Sequence, residues 1–413
     1  MSPVEDAAGF DWAPRRRMLA NGMARKFTLD FLKTEAAAGL ILAAAALIAV
    51  AIANSPWREA YFAFVKSPFT LQLGGFEETK SVLKWTKDGL MAVFFFVVGL
   101  EIKYEVLKGE LSNPRKLAMP VFAAVGGMLA PALVFLALNL GEGGHPNGWP
   151  IPTATDIAFA LAALAIAAPR LPPSLRVFLL TLAIADDLGA VALIAVLFTS
   201  DLNLAALAGA GVGIAVMVWM GRWKQVPALL FAAVFLVVWA FTLKSGVNTS
   251  LAGVAAALTV PIAASGAGEE GRLKRYMHAL HPYVAYGILP FFAFVAAGFA
   301  FDAFPAAGIL APLPLGIAAG LVLGKPIGVF GAAALASALK LGQRPSGSSW
   351  LELLGVAMLC GVGFTMSLFI GGLAFHDDTT AAEVQLGVVA GSILSVIAAV
   401  LTLKLAQFLR NRQ

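Results

Sequence analysis

Apolar runs of about 20 residues follow one another along almost the whole chain, separated by short polar links, and a bilayer is the one medium that suits such a pattern. Hydrocarbon offers no partner to backbone N–H and C=O groups, so each run must satisfy its own, as an α-helix does. About twelve candidate spans result, at residues 36–54, 83–104, 117–139, 150–168, 175–199, 203–221, 226–243, 248–264, 282–301, 310–337, 351–375 and 384–408. Composition excludes the soluble alternative: 60% of residues are hydrophobic and 13% charged, with a mean hydropathy of +0.84. The expected fold class is therefore an all-α membrane protein. It divides into a polar, basic N-terminal segment, 1–35, a single transmembrane domain, 36–408, and a short tail, 409–413.

Charge alternates from link to link. Lys103, Lys108, Arg115 and Lys116 follow the second span, whereas the next link, 140–149, has no lysine or arginine. Arg170 and Arg176, Arg222 and Lys224, Arg272 with Lys274 and Arg275, and Lys340 with Arg344 keep to every second link. The positive-inside rule places those links and both termini in the cytoplasm. The first span resembles a signal-peptide core but is longer and leads into Ser55-Pro56-Trp57, so it reads as an uncleaved helix. The net charge of +5 is dispersed rather than gathered in a stripe, which excludes nucleic acid as a partner. The single cysteine, Cys360, lies in an apolar span and excludes an internal disulfide.

The link after the first span, on the external side, contains a partly alternating stretch from Phe69 to Thr79 around Gly74-Gly75. Two glycines supply the positive φ angles of a tight turn, which predicts a small β-hairpin over 69–80. A lone hairpin is marginal in water, so pairing with a second copy is expected to steady it and make the protein a homodimer.

Three features at membrane depth carry the chemistry. Asp186 and Asp187 stand at the centre of the apolar run from Leu175 to Phe198, where a carboxylate costs several kcal/mol unless it is protonated, paired or ion-bound. Neighbours on a helix point about 100° apart, so the two cannot face one ligand equally and must divide their labour. Lys325, about a dozen residues from either end of its span, is too deep to snorkel and needs an internal anion. Gly320, Gly324 and Gly328 repeat at four-residue spacing around it and admit a neighbouring backbone closely, which presses the lysine toward an aspartate. Gly324-Lys325 lacks the glycine spacing and the Ser/Thr of a phosphate loop, so no nucleotide is expected.

The third feature is Trp149-Pro150-Ile151-Pro152, just ahead of Thr155 and Asp156, where two prolines interrupt the helix. Gly361, Gly363 and Thr365 form a matching irregular stretch in the eleventh span. Paired broken helices in corresponding halves are the pattern of an inverted-repeat transporter with its site at the midplane. Spans 3–5 and 10–12 would be the two repeats, their broken helices crossing at that depth.

Taken together, residues 88–95 with Val98 to Glu101, 155–161, 185–190, 323–326 and 361–367 resemble the NhaA-type sodium/proton antiporters over about residues 35 to 408. The resemblance implies that Asp187 is the main ligand of the transported cation, that Asp186 exchanges a bond with Lys325, and that Thr155 and Asp156 belong to the broken-helix assembly. It also implies a dimer through the external hairpin in a bacterial inner membrane, surrounded by lipid, and a cation entrance or pH response at Glu101, Lys103 and Glu105. No cofactor is implied: Na⁺ or Li⁺ and H⁺ are cargo, held at Asp186 and Asp187. Two positions depart from the best-known relatives. Asn248 stands where they have histidine and Met277 where they have an acidic residue, so a shifted pH profile is expected.

Burial opposes a carboxylate's charge and a neighbouring cation favours it, so the doublet can exchange protons near cytoplasmic pH. If Asp187 crosses only when it holds Na⁺ or H⁺, movement is coupled to exchange with no covalent chemistry, and the protein is not an enzyme. Release of Lys325 by a protonated Asp186 would carry more protons than cations and make the cycle electrogenic. An intramembrane aspartyl protease is disfavoured, because neighbouring aspartates on one helix are badly aimed for a dyad. A sodium-coupled organic solute symporter of similar fold is the rival; it would need a roomy substrate pocket.

Overall fold

Alanine and leucine dominate the apolar runs, and their low helix-forming cost, together with the absence of backbone partners in lipid, makes every long run helical. The computed structural model describes residues 36–73, 76–109, 114–199, 201–223, 226–262, 271–303, 308 and 310–412. The N-terminal segment 1–35, the Gly74-Gly75 turn and Lys224 lie outside the described residues, and for Arg115 and Lys116 only the helical backbone is described.

Helix α1 (Ala36–Ala53) leads through the short α2 (Arg58–Lys66) into a two-stranded antiparallel hairpin, β1 (Pro68–Leu73) and β2 (Phe76–Ser81). The register pairs Phe69 with Lys80 and Leu73 with Phe76. Thr70 and Thr79 join their hydroxyls across the strands at 2.8 Å. A π turn at Thr86–Leu90 opens into α3 (Met91–Lys108). Then come α4 (Pro114–Asn139), α5 (Ile157–Ala167) and α6 (Pro173–Leu197), followed by α7 (Leu204–Gly221), α8 (Ala228–Lys244) and α9 (Ser250–Thr259). The chain closes with α10 (Arg272–Ala296) and α11 (Pro312–Ala338), then α12 (Trp350–Leu359), α13 (Phe364–Ala374) and α14 (Asp378–Arg410).

Among the described residues, 7 helices are long and apolar enough to cross a membrane, and 9 spans result when each of two bent pairs counts as one. The remaining expected spans fall short for physical reasons. Helix α9 has 10 residues and α8 has 17, about 15 and 25 Å against a hydrocarbon core of about 30 Å. Helix α3 carries Glu101, Lys103, Glu105 and Lys108 in its second half.

The bent pairs coincide with the two irregular stretches. Short 3₁₀ turns over Pro146–Thr153 meet α5 at 46°, and α12 meets α13 at 43°. Glycine packing sets the distance between α4 and α11. A Cβ at Gly328 would lie 2.0 Å from the Gly126 carbonyl oxygen, and one at Gly324 2.5 Å from Pro131 Cα. Pro326 lacks an N–H and its ring crowds the preceding turn. The helix answers with a π turn at Gly320–Gly324, in which the Lys325 N–H donates to the Gly320 carbonyl five residues back.

Two apolar clusters make up the interior around these crossings. One gathers Phe95, Phe135, Ile151, Ala154, Phe292, Leu321, Val362 and Phe369; the other gathers Leu161, Leu179, Leu182, Val329, Val356, Cys360 and Leu403. Six segments pass from one cluster to the other. Four do so at polar residues or at the 360–363 break, between Ala154 and Leu161, Leu182 and Ala190, Leu321 and Val329, and Cys360 and Val362, and two more do so in α4 between Ala124 and Phe135 and in α14 between Val388 and Ala399. Thr155, Asp156, Asp186, Asp187, Lys325 and the 360–363 break thus form one polar seam between two apolar layers.

Candidate cation and proton site

The seam is built from the ends of broken helices. Pro150 and Pro152 cannot donate, and the backbone turns extended at Ala154 (ψ 151°) before α5 starts. Asp156 is the N-cap of α5, its Oδ1 accepting from the Phe159 N–H at 3.0 Å. Its Oδ2 accepts from the Thr365 N–H at 3.1 Å and from the Thr365 hydroxyl. Gly363, the N-cap of α13, has no side chain to cap that helix, so one carboxylate caps two helix starts, where orphan N–H groups and the positive end of the helix dipole favour an anion. The Asp156 N–H donates to the Val362 carbonyl at 2.7 Å, which ties the two breaks backbone to backbone.

Thr155 closes the remaining loose end. Its hydroxyl donates to the Cys360 carbonyl at the end of α12, at 2.9 Å, and accepts from Lys325 Nζ at 2.9 Å. Gly361 and Gly363 matter here for space rather than for left-handed backbone. A Cβ at Gly361 would meet the Leu321 carbonyl at 2.3 Å, and one at Gly363 the Ser367 Oγ at 2.1 Å.

Lys325 Nζ lies 2.6 Å from Asp186 Oδ2, and both side chains are fully buried. The second oxygen of Asp186, Oδ1, has no hydrogen-bond partner. Asp187, 4% exposed, points to a different surface of α6. Its side chain has no hydrogen-bond or ion-pair partner among the described residues, and Oδ1 is buried. The charges that act on Asp187 are Asp186, Glu101, Asp156 and Lys325, three carboxylates against one ammonium. An electronegative, water-poor centre with an unclaimed carboxylate attracts cations. No group of three or more His, Cys, Asp or Glu side chains gathers as a metal cage among the described residues.

The outer trio splits. Glu101 reaches the doublet electrostatically from α3. Lys103 Nζ donates to the carbonyls of Leu258 and Val260, both at 2.6 Å, at the C-terminal end of α9. Glu105 sits one turn from the end of α3, where its carbonyl accepts from the Gly109 N–H at 3.1 Å. Serines with no signal in the sequence complete the assembly. Ser367 donates to the Ile151 carbonyl at 2.7 Å, and Ser392 accepts from the Phe364 N–H at 3.2 Å. In sequence each is an ordinary small residue in an apolar helix.

Comparison with known proteins supplies an independent line. The family model described as Na⁺/H⁺ antiporter 1 matches residues 29–403. The chain is 47% identical over 387 residues to the Na⁺/H⁺ antiporter NhaA of Rhodospirillum rubrum, covering 92% of this chain and 97% of that one. It is 50% identical over 372 residues to that of Rhizorhabdus wittichii, covering 89% and 95% respectively. To the protein of the same name from Bordetella parapertussis it is 47% identical over 371 residues, 89% of this chain and 93% of that one. With a family model spanning most of the chain, relatives at this identity along nearly their full length, and multiple apolar helices, this bacterial multi-pass membrane protein belongs to the Na⁺/H⁺ antiporter 1 family.

Proposed function

We infer that the chain is a secondary Na⁺/H⁺ antiporter, accepting Li⁺ as well, which expels the alkali cation in exchange for protons by alternating access. The observation that carries this is the unequal state of the doublet. Asp186 is held by Lys325, whereas Asp187 is buried with no donor to it. A bare carboxylate in that setting is costly, so a proton or a cation takes the position and the two compete. Because the unoccupied charged form is the unfavourable one, the site changes its exposure when loaded with one or the other. Inward proton flow then drives sodium outward. The Na⁺/H⁺ antiporter names of the relatives support this over the solute symporter.

Asp186 and Lys325 have the second role: protonation of Asp186 frees the lysine, which makes the cycle electrogenic. Thr155, Asp156, Gly361, Gly363 and Thr365 hold the crossed helix ends. Counting α3, α8 and α9 with the nine spans gives twelve crossings, with both termini cytoplasmic in the inner membrane. The glycine contact between α4 and α11 and the two bent pairs support inverted repeats over spans 3–5 and 10–12. The hairpin supports a homodimer formed through 69–80. Glu101, with its field on Asp187, supports an entrance and pH-response role for the end of α3.

The test is Na⁺-dependent proton movement in proteoliposomes for wild type and Asp187→Asn. The exchange is expected to fall to background in the variant while size-exclusion behaviour is unchanged. Full exchange by Asp187→Asn would remove the site from the mechanism.

A further inference from the structure

A second polar site lies at one edge of the bundle. A cavity of about 260 Å³ opens where the last turn of α14 meets the first turn of α12 and the link between α5 and α6; its lining is Arg170, Glu352, Gln407, Arg410 and Asn411. Eight residue steps, from Glu352 in α12 to Cys360 just past its end, about 12 Å of helix, separate it from the aspartate seam.

The carboxylate in that lining is already spoken for. Glu352 Oε2 accepts from the Ser349 N–H at 2.7 Å in a capping box, and Oε1 accepts from Arg410 Nη1 at 3.1 Å. Hydrogen-bond donors are left in excess. Arg170 is exposed and has no hydrogen bond or ion pair among the described residues. Nε2 of Gln407 is buried without an acceptor, a state that costs about 1–3 kcal/mol unless a ligand relieves it. Arg410 keeps the rest of its planar fork, the geometry that suits a tetrahedral oxyanion.

We propose that this cavity binds a phosphate-type anion, gripped by Arg170, Arg410 and the Gln407 amide. Its depth supports a phosphodiester. Helix α14 has 33 residues, about 50 Å of length, so its ends pass beyond a hydrocarbon core of about 30 Å into the headgroup layer. The phosphate of an anionic phospholipid reaches it from the side and inorganic phosphate from the water.

The experiment titrates full-length protein in neutral detergent with phosphatidylglycerol, phosphatidylcholine and inorganic phosphate, following thermal denaturation and, for the lipids, retained copies by native mass spectrometry. Arg170→Gln removes one charged grip at an exposed position, and Gln407→Met removes only the amide. Arg410 is left intact because it also neutralises Glu352. Phosphatidylglycerol is expected to stabilise wild type more than phosphatidylcholine, with about ten-fold weaker apparent affinity in Arg170→Gln and a smaller loss in Gln407→Met. If inorganic phosphate alone gives the Arg170-dependent shift, the site stands and its ligand is the soluble anion. A response to both anions that is identical in wild type and the two variants, or no response to either, overturns the proposal.

Discussion

Replacing Lys325 by methionine deletes the ammonium while keeping most of the stem, and so isolates the buried charge pair. At 2.6 Å and an effective dielectric of about 20, the attraction between Lys325 and Asp186 is about 6 kcal/mol. Desolvation of both ions offsets much of it, since neither side chain keeps any exposure. The variant also loses the bond to Thr155 Oγ1, and it leaves Asp186 with no partner on either oxygen. A loss of about 3–5 kcal/mol of stability is expected. Adding Asp186→Asn removes the stranded charge, so the double variant should return to within about 2 kcal/mol of wild type. The cycle then shows a coupling of at least about 2 kcal/mol. Unfolding by dodecyl sulfate in mixed micelles, read by tryptophan fluorescence, gives the stabilities; exchange rates in proteoliposomes at imposed potentials give the functional arm, where loss of voltage dependence is expected. Additive single effects, with coupling under about 0.5 kcal/mol, would refute the pair, and unchanged voltage dependence in Lys325→Met would refute its role in charge transport.

Three further outcomes follow from the same geometry. Asp156→Ala strands the Phe159 N–H and both donors of Thr365 and is expected to cost about 3–6 kcal/mol, against about 1–3 for Thr365→Val; the reverse order in unfolding titrations contradicts a carboxylate that caps two helices. Gly328→Ala drives a Cβ to 2.0 Å from the Gly126 carbonyl and should destabilise by about 1–3 kcal/mol or more. Gly331→Ala, on the same helix with nothing within 4 Å, should be neutral or gain up to about 1 kcal/mol; equal effects would dismiss close packing of α4 on α11. Asp377, the exposed N-cap of α14, accepts from the Thr380 hydroxyl and N–H, which hold its carboxyl below the usual carboxylate range. Its contribution is present above the unfolded value near about 4 and is lost as pH falls through the lower folded value. Asp377→Ala should therefore cost about 0.5–1 kcal/mol at pH 7 and progressively less in acid, a trend that melting curves across pH will show or deny.

What the sequence disclosed depended on whether a residue's cost could be read without its partner. Asp186, Asp187 and Lys325 are conspicuous in apolar runs because the charge itself is expensive there, and Gly320, Gly324 and Gly328 announce close approach by spacing alone. The prolines at 150 and 152 likewise forecast a break, and the hairpin followed from Gly74-Gly75 between alternating strands. Partners supplied by backbone were invisible. Nothing in the sequence says that the carbonyl of Cys360 or Val362 receives Thr155 or Asp156, because any residue type offers a carbonyl. The same holds for Lys103: its charge is legible in the sequence, the two carbonyls ending α9 to which it donates are not. Hydropathy and helix length part company in α9, whose 10 residues lie within an apolar stretch nearly twice as long.

The seam explains why so few polar residues suffice. The segments that carry Thr155 and Asp156, Asp186 and Asp187, and Lys325 are each anchored in one apolar layer on one side of the polar residue and in the other layer on the other side, so the polar links between layers are concentrated in a handful of side chains. Lys325 touches α6 through Asp186 and the α5 break through Thr155, which in turn holds the end of α12. A change of charge at Asp186 is therefore felt at both broken helices through one ammonium, without passing through the apolar packing. Asp187, one residue on, keeps no such tie. In the mechanism proposed above, a cation exchanges with a proton there without dismantling the scaffold, while its neighbour carries the news of that exchange to the helix ends. If that division is right, Thr155→Val should leave Na⁺ binding at Asp187 within about three-fold of wild type, since one hydrogen bond is worth about 1 kcal/mol, yet slow the exchange cycle. Isothermal titration with Na⁺ set beside proteoliposome flux separates the two effects, and equal losses in both would merge the roles assigned here to the two aspartates.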